Sequence, residues 1–167
     1  MTSREEKKLQ SRDRILRSAA LLFRKKGIVA TGVDSIMSKA GLTAGGFYSH
    51  FQSKEDLVAQ ALSSVLSQSK KRLLQATVAT PSASPNRKMA AILEGYLSTS
   101  HRDQPETGCV LAALAGELPR QSAKTRNILA QHLESWIEEL EELGLRRDQA
   151  IRSISMAVGS LILSRIV

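Results

Sequence analysis

Cysteine is almost missing: Cys109 is the only one in 167 residues. An intrachain disulfide and a cysteine-rich zinc site are thereby excluded. Aromatic residues are scarce, at 4%, and no segment sustains the alternation of a half-buried strand. The longest apolar run, Cys109 to Gly116, falls far short of the roughly 20 residues that span a bilayer. The first residues, "MTSREEKKLQ", lack the apolar core of a signal peptide. Neither His101 nor His132 has a histidine or cysteine at metal-ligand spacing, so no metal site is expected. The carboxylates stand singly or along one helix face, and Cys109 has no histidine close in sequence. The paired acid and base of an enzyme are therefore not evident. These absences lead to the expectation of a soluble cytoplasmic protein, not an enzyme, without cofactor.

What is present is helix-forming and basic. The chain is 42% hydrophobic and 24% charged, with a net charge of +8 and a pI near 10.0. That balance makes nucleic acid or an anionic membrane surface a natural partner. Residues 1–60 carry 11 basic and 6 acidic side chains, so positive charge is densest there. Ile15, Leu16, Ala19, Ala20, Leu22 and Phe23 form a helical stripe, with Ser11 as the expected cap and Gly27 as the stop. A short helix is expected from Val33 to Ala40, capped by Thr31 with Asp34 and ended by Gly41. Thr43 would cap a third helix running through Phe51. Ser53 and Asp56 would open a long fourth one, from Lys54 to Thr77, with Leu73 and Leu74 in its apolar stripe. After an Ala79–Arg87 linker, helices are expected at Arg87–Ser100, Thr107–Glu117, Ser122–Leu143 and from Arg147 onward. The fold class is all-α.

The stretch "AGLTAGGFYSHF" is the most informative. A short helix, a glycine turn and a second short helix, braced by longer helices, make a helix-turn-helix whose second helix can enter the major groove. At 100° per residue Phe47 and Phe51 share an inward face. Gly45 and Ser49 point away from it, flanked by Gly46 and Tyr48. Such a small-residue face admits close approach to DNA, and Lys54 stands ready for a phosphate at the start of the next helix.

"LFRKKG", this turn, and "SKEDL" at its following distance together resemble the TetR family of bacterial transcriptional regulators, over about the first 60 residues. The resemblance implies an N-terminal DNA-binding unit at residues 9–69, with the helix-turn-helix at about 32–51. It implies a helical effector-binding and dimerisation unit at residues 70–167. It places Thr43, Ala44, Gly45, Gly46, Tyr48, Ser49, His50 and Lys54 on DNA-contacting positions. It also implies a homodimer on double-stranded operator DNA, released by a small-molecule effector of unknown identity. Gly32 and Val33 stand where relatives often carry phosphate-contacting hydroxyls, and Ala44 where a basic residue is frequent. The recognition helix has no Arg, Asn or Gln for bidentate base reading, so DNA shape and close packing are expected to set specificity.

Two C-terminal residues are candidates for an effector or redox site. Cys109, at the start of an apolar helix, is either a small buried residue or an electrophile sensor. Trp136 is either core or a pocket wall. Ile151, Ile154, Val158, Leu161 and Arg165 follow 3-4-3-4 spacing and are expected at a dimer interface. Family dimers pair two long terminal helices and the sequence reading finds one, so an incomplete C-terminus is expected. The rivals are a basic protein on anionic membrane surfaces and an unrecognised nucleic-acid enzyme. The first needs lysines opposite a strongly apolar face, yet the helix from Cys109 has none.

Overall fold

The computed structural model describes residues 3–78 and 83–167, apart from the side chains of 70–78. Among the described residues every regular element is a helix. The first, α1, runs Ser3–Lys26, two turns earlier than a Ser11 cap would allow. Its opening residues are good helix formers. Glu5 and Glu6 in the first turn and Arg24, Lys25 and Lys26 in the last suit the helix dipole. Helix α2 spans Val33–Lys39. Thr31 does not cap it: its side chain is buried and its hydroxyl donates to the Gly27 carbonyl at 2.6 Å. The N-cap is Gly32, without a side-chain bond. Gly41, at φ 68°, reverses the chain, a conformation that suits glycine, and the Leu42 N–H reaches back to the Met37 carbonyl at 2.9 Å.

The third element is tighter than expected, a 3-10 helix over Ala44–Ser49 rather than an α-helix through Phe51. Helix α3, Lys54–Val78, begins as the sequence indicates, with the Asp56 N–H donating to the Ser53 hydroxyl at 3.0 Å. Leu73 and Leu74 fall among the side chains outside the description, as does 79–82 of the expected linker.

Beyond it come α4 (Pro85–Tyr96), α5 (Thr99–Asp103), α6 (Val110–Leu114), α7 (Ala123–Glu142) and α8 (Arg147–Leu163). The expected Arg87–Ser100 helix is two helices, because Ser98 accepts the His101 N–H and starts α5. The expected Thr107–Glu117 helix shrinks to five residues, preceded by a Pro105–Thr107 turn of 3-10 helix. Two long helices, α7 and α8, lie where helices over Ser122–Leu143 and from Arg147 onward are expected. Gly144 makes the turn between them.

Ile15, Phe23, Ile36, Phe47, Leu57 and Leu62 centre one large core joining α1, α2, the 3-10 helix and α3. Helix α6 has two allegiances. Val110 and Leu114 belong to that core, while Cys109 and Ala112 join Trp136 and Leu161 in a separate, smaller cluster.

Candidate nucleic-acid interface and internal cavities

A 3-10 helix repeats every three residues, so side chains three apart eclipse one another. Gly45 and Tyr48 therefore share one exposed face, and Gly46 and Ser49 a second, where the Ser49 hydroxyl donates to the Gly46 carbonyl at 2.7 Å. Phe47 points inward, 1% exposed, against Phe51 at 5.8 Å. Tyr48 stands edge-on to Phe47 and is 77% exposed, so its phenol faces solvent rather than core. The sequence placed the outward face correctly but with the wrong period.

Gly45 has no backbone reason to be glycine. Its φ is not positive, and a Cβ built on it would meet nothing within 4 Å. At Gly46 a Cβ would make ordinary contact with Met37 Cε at 3.7 Å and Thr43 Oγ1 at 3.9 Å. Thr43 and Ala44 are exposed, and Lys54 is half-buried as the first residue of α3.

His50 is half-buried at the end of this element, and its Nδ1 is buried without a hydrogen-bond partner. Burial, then the nearby charges of Lys8 and Arg12, hold its pKa below the ordinary value, which favours the neutral ring. Lys8 and Arg12 come from the start of α1, which reads in the sequence as a polar leader. The Arg12 guanidinium lies 5.1 Å over the Phe51 ring and bonds Gln60. Their i,i+4 spacing was the available signal.

The C-terminal helices enclose two cavities. One, about 50 Å³, has an almost wholly apolar wall between α4, α7 and α8, with Met89, Ile92, Tyr96, Trp136, Leu140 and Val158. The other, about 310 Å³, is more polar and includes Ser69, Ser98, Ser100, His101, Gln104 and Cys109. Ile92, Tyr96 and Trp136 line both. Trp136 is thus both core and wall, 7% exposed, and its indole N–H has no hydrogen-bond partner.

Cys109, 5% exposed, lines the larger cavity, and its backbone N–H donates to His101 Nε2 at 2.8 Å. His101 Nδ1 meets the Tyr96 carbonyl at 2.6 Å. A proton on Nδ1 and a bare Nε2 satisfy both bonds, which is the neutral tautomer. Burial, assisted by the Arg165 charge and opposed by the Tyr96 carbonyl, lowers the His101 pKa.

Besides Lys124 of α7, which donates to Asp56 of α3 at 3.1 Å, two contacts reach from this half to α1 and the loop after it, and neither was visible in the sequence. Glu117 accepts the N–H groups of Ile28 and Val29, each at 2.9 Å, in the loop between α1 and α2. Arg24 of α1 donates to the Gly108 carbonyl at 2.9 Å, next to Cys109. Their partners lie more than 80 positions away, beyond the reach of local pattern.

The stripe on α8 is used largely inside the protomer. Leu161 is 1% exposed, Ile154 and Val158 pack on the inner clusters, and Arg165 donates to the His101 and Arg102 carbonyls. Of the five residues expected at a dimer interface only Ile151 is exposed. Spacing identified an apolar stripe, and part of it packs within the protomer. Among the described residues no cluster of three or more His, Cys, Asp or Glu side chains is placed to hold a metal, and no helix is long and apolar enough to cross a membrane.

Two family models match: the N-terminal model of bacterial regulatory proteins of the tetR family at residues 15–61, and a tetracyclin repressor-like C-terminal domain at residues 85–151. The uncharacterized HTH-type transcriptional regulator YerO of Bacillus subtilis is 42% identical over 52 residues, 31% of this chain and 18% of that protein. The HTH-type transcriptional repressor DhaR of a Mycobacterium species is 27% identical over 147 residues, 83% of this chain and 72% of DhaR. A TetR transcriptional regulator from Chloroflexus aurantiacus superposes with a TM-score of 0.82 at 24% identity, covering 96% of this chain and 87% of that one. AibR, solved in complex with isovaleryl coenzyme A and operator DNA, superposes with a TM-score of 0.70 at 19% identity, covering 89% and 84%. At these identities the structural likenesses establish the fold.

Proposed function

We propose that this chain, which belongs to the tetR family of bacterial regulatory proteins, is a cytoplasmic homodimeric repressor released from a palindromic operator by a small molecule. The observation that carries the reading is Gly45: an exposed glycine that the fold does not require, beside the exposed Tyr48 and above the buried Phe47. A bare backbone there lets the recognition element sit close to base edges, while Tyr48, Lys54 and the helix-end amides hold phosphates. Each protomer would present Thr43–His50 to one half-site, about one DNA turn from the other.

Helix α3 carries Lys54 at its start and Ser69 on the larger cavity, a separation of roughly 22 Å at 1.5 Å per residue. A ligand that moves α3 or α6 inside the protomer thereby moves the DNA-facing end. The spacing between recognition elements then no longer matches the operator. Met156 and Leu163, two turns apart and exposed on α8, offer an apolar face for a second copy. DNA and effector must weaken each other's binding by the same factor. The test is titration of operator DNA from the flanks of the coding region, at two salt concentrations, with and without a bound small molecule. Binding that is insensitive to sequence, or equal ligand affinity with and without operator, contradicts the reading. A second reading, alkylation of Cys109 by an electrophile, is supported by its place on the larger cavity. Unchanged release of a Cys109→Ser variant by a maleimide removes it.

A further inference from the structure

The two cavities share a donor that no described residue uses. Trp136 is more than nine-tenths buried and lines both spaces, and its Nε1–H has no acceptor. A buried donor without a partner costs free energy that a bound acceptor can recover. The Tyr96 hydroxyl, on the same shared wall, is also buried without a conventional partner; beside it lies the Cys109 sulfur, a weak acceptor. Burial, then that sulfur, keeps the phenol protonated and hence able to donate.

The walls also exclude chemistries. Among the described residues neither cavity is lined by a lysine or arginine, and His101 is held neutral by its two hydrogen bonds. Arg165 acts on Tyr96 and His101 from outside both walls, and its guanidinium is engaged by the His101 and Arg102 carbonyls. A carboxylate or phosphate entering either space would therefore leave water without a direct counter-charge among the described residues, a large penalty. Glu139 borders the smaller cavity, but the wall there is almost all carbon, so a cation meets no exposed oxygen. The larger cavity offers serine hydroxyls and the Gln104 amide instead.

We infer that the effector is an uncharged amphipathic carbonyl compound, its oxygen accepting from Trp136 Nε1 and the Tyr96 hydroxyl on the wall the two cavities share and its body lodged in the larger cavity of about 310 Å³. This rests on reading the C-terminal helices as the effector domain. It differs from what AibR was solved with, since coenzyme A carries phosphates that would find no cation among the described residues of these walls.

The chain has one tryptophan, so its fluorescence reports the site directly. Full-length protein is titrated with 4-tert-butylcyclohexanone and with 2-decanone. Each is compared with the hydrocarbon, the carboxylate and the ammonium compound of the same skeleton. The ketones are expected to bind about fivefold tighter than the hydrocarbons, the worth of one modest hydrogen bond, and the two ions more weakly still. Trp136→Phe, followed by thermal shift, and Tyr96→Phe, followed by fluorescence, should each remove most of the ketone advantage and leave hydrocarbon binding unchanged. Tighter binding of either ion, an undiminished ketone preference in both variants, or no binding by any probe would overturn the inference. Operator release is scored separately. Ketone binding through Trp136 with no effect on operator would sink the effector reading while leaving the chemistry of the site intact. Release by the carboxylate would do the reverse.

Discussion

The two halves of the molecule are packed to different ends. The helix-turn-helix half is built on one continuous core in which Phe23, Phe47, Ile36, Leu57 and Leu62 are essentially inaccessible. The C-terminal half divides into two small clusters, around Trp136 and around Leu140, with cavities between them. A surface that must match DNA needs a rigid base, whereas a domain that admits a ligand needs space and elements able to shift. Helix α6 is where the two meet. Val110 and Leu114, with Leu118 in the turn that follows, are anchored in the first core, and Cys109 and Ala112 face the Trp136 cluster.

The contrast breaks most sharply at the cores. Phe47→Ala should cost about 3–5 kcal/mol, because a close-packed site collapses poorly around the lost ring. Leu140→Ala, beside an existing cavity, should cost nearer 2 kcal/mol, the lower end for such truncations. Urea unfolding at fixed protein concentration measures both. Equal losses would mean that the C-terminal half is packed as tightly as the first.

Next in size is Gly45→Leu. With open space around the position and no positive φ, the melting temperature should stay within a few degrees. Operator affinity should fall by at least about a hundredfold, roughly 2.7 kcal/mol. Gel-shift titration of a variant with normal affinity would show that the recognition element docks on another face. Gly46→Ala serves as the milder control, since its Cβ makes only ordinary contacts with Met37 and Thr43.

Smaller again is Glu117→Gln, at the joint between the halves. The loss of charge from two hydrogen bonds, to the Ile28 and Val29 amides, should cost about 1–2 kcal/mol. A change in the ratio of effector affinities with and without operator, beyond the change in stability, would identify Glu117 as part of the coupling between the sites. An unchanged ratio would leave it a structural clasp.

Much of the first half was legible because its signals are local. Apolar spacing fixes α2 and α3, Gly41 requires a left-handed turn, and Ser53 with Asp56 marks a helix start. The failures there are also local. Thr31 looks like a cap in sequence but turns back to the Gly27 carbonyl, and the recognition element tightens to a 3-10 helix. In the second half the decisive contacts are distant. Tyr96 and Trp136 are 40 positions apart and Glu117 reaches back 89 positions to Ile28, so periodicity named Trp136 and Cys109 but not Tyr96, His101 or the cavity that joins them. The α8 stripe shows the limit plainly: 3-4 spacing marks a face without saying whose surface covers it.

The gentlest test compares the two half-buried histidines. Both His50 and His101 are held below the ordinary value of 6.5, so the unfolded chain binds protons more readily than the native one. The stability each contributes is present above pH 6.5 and declines as the pH falls below it. The causes differ in rank. For His101, burial leads, the Tyr96 carbonyl opposes it, and Arg165 adds a single charge. For His50, burial leads as well, but two cations, Lys8 and Arg12, follow. Urea midpoints at pH 7.5 and 5.5 should therefore differ less in His101→Gln than in the parent chain, and likewise in His50→Gln. Repeating the series in 0.5 M salt should weaken the His50 effect more, because screening acts on exposed charges and little on burial. A His101 effect as salt-sensitive as that of His50 would mean that the second half is more open to solvent than its hydrogen bonds to Tyr96 and Cys109 indicate.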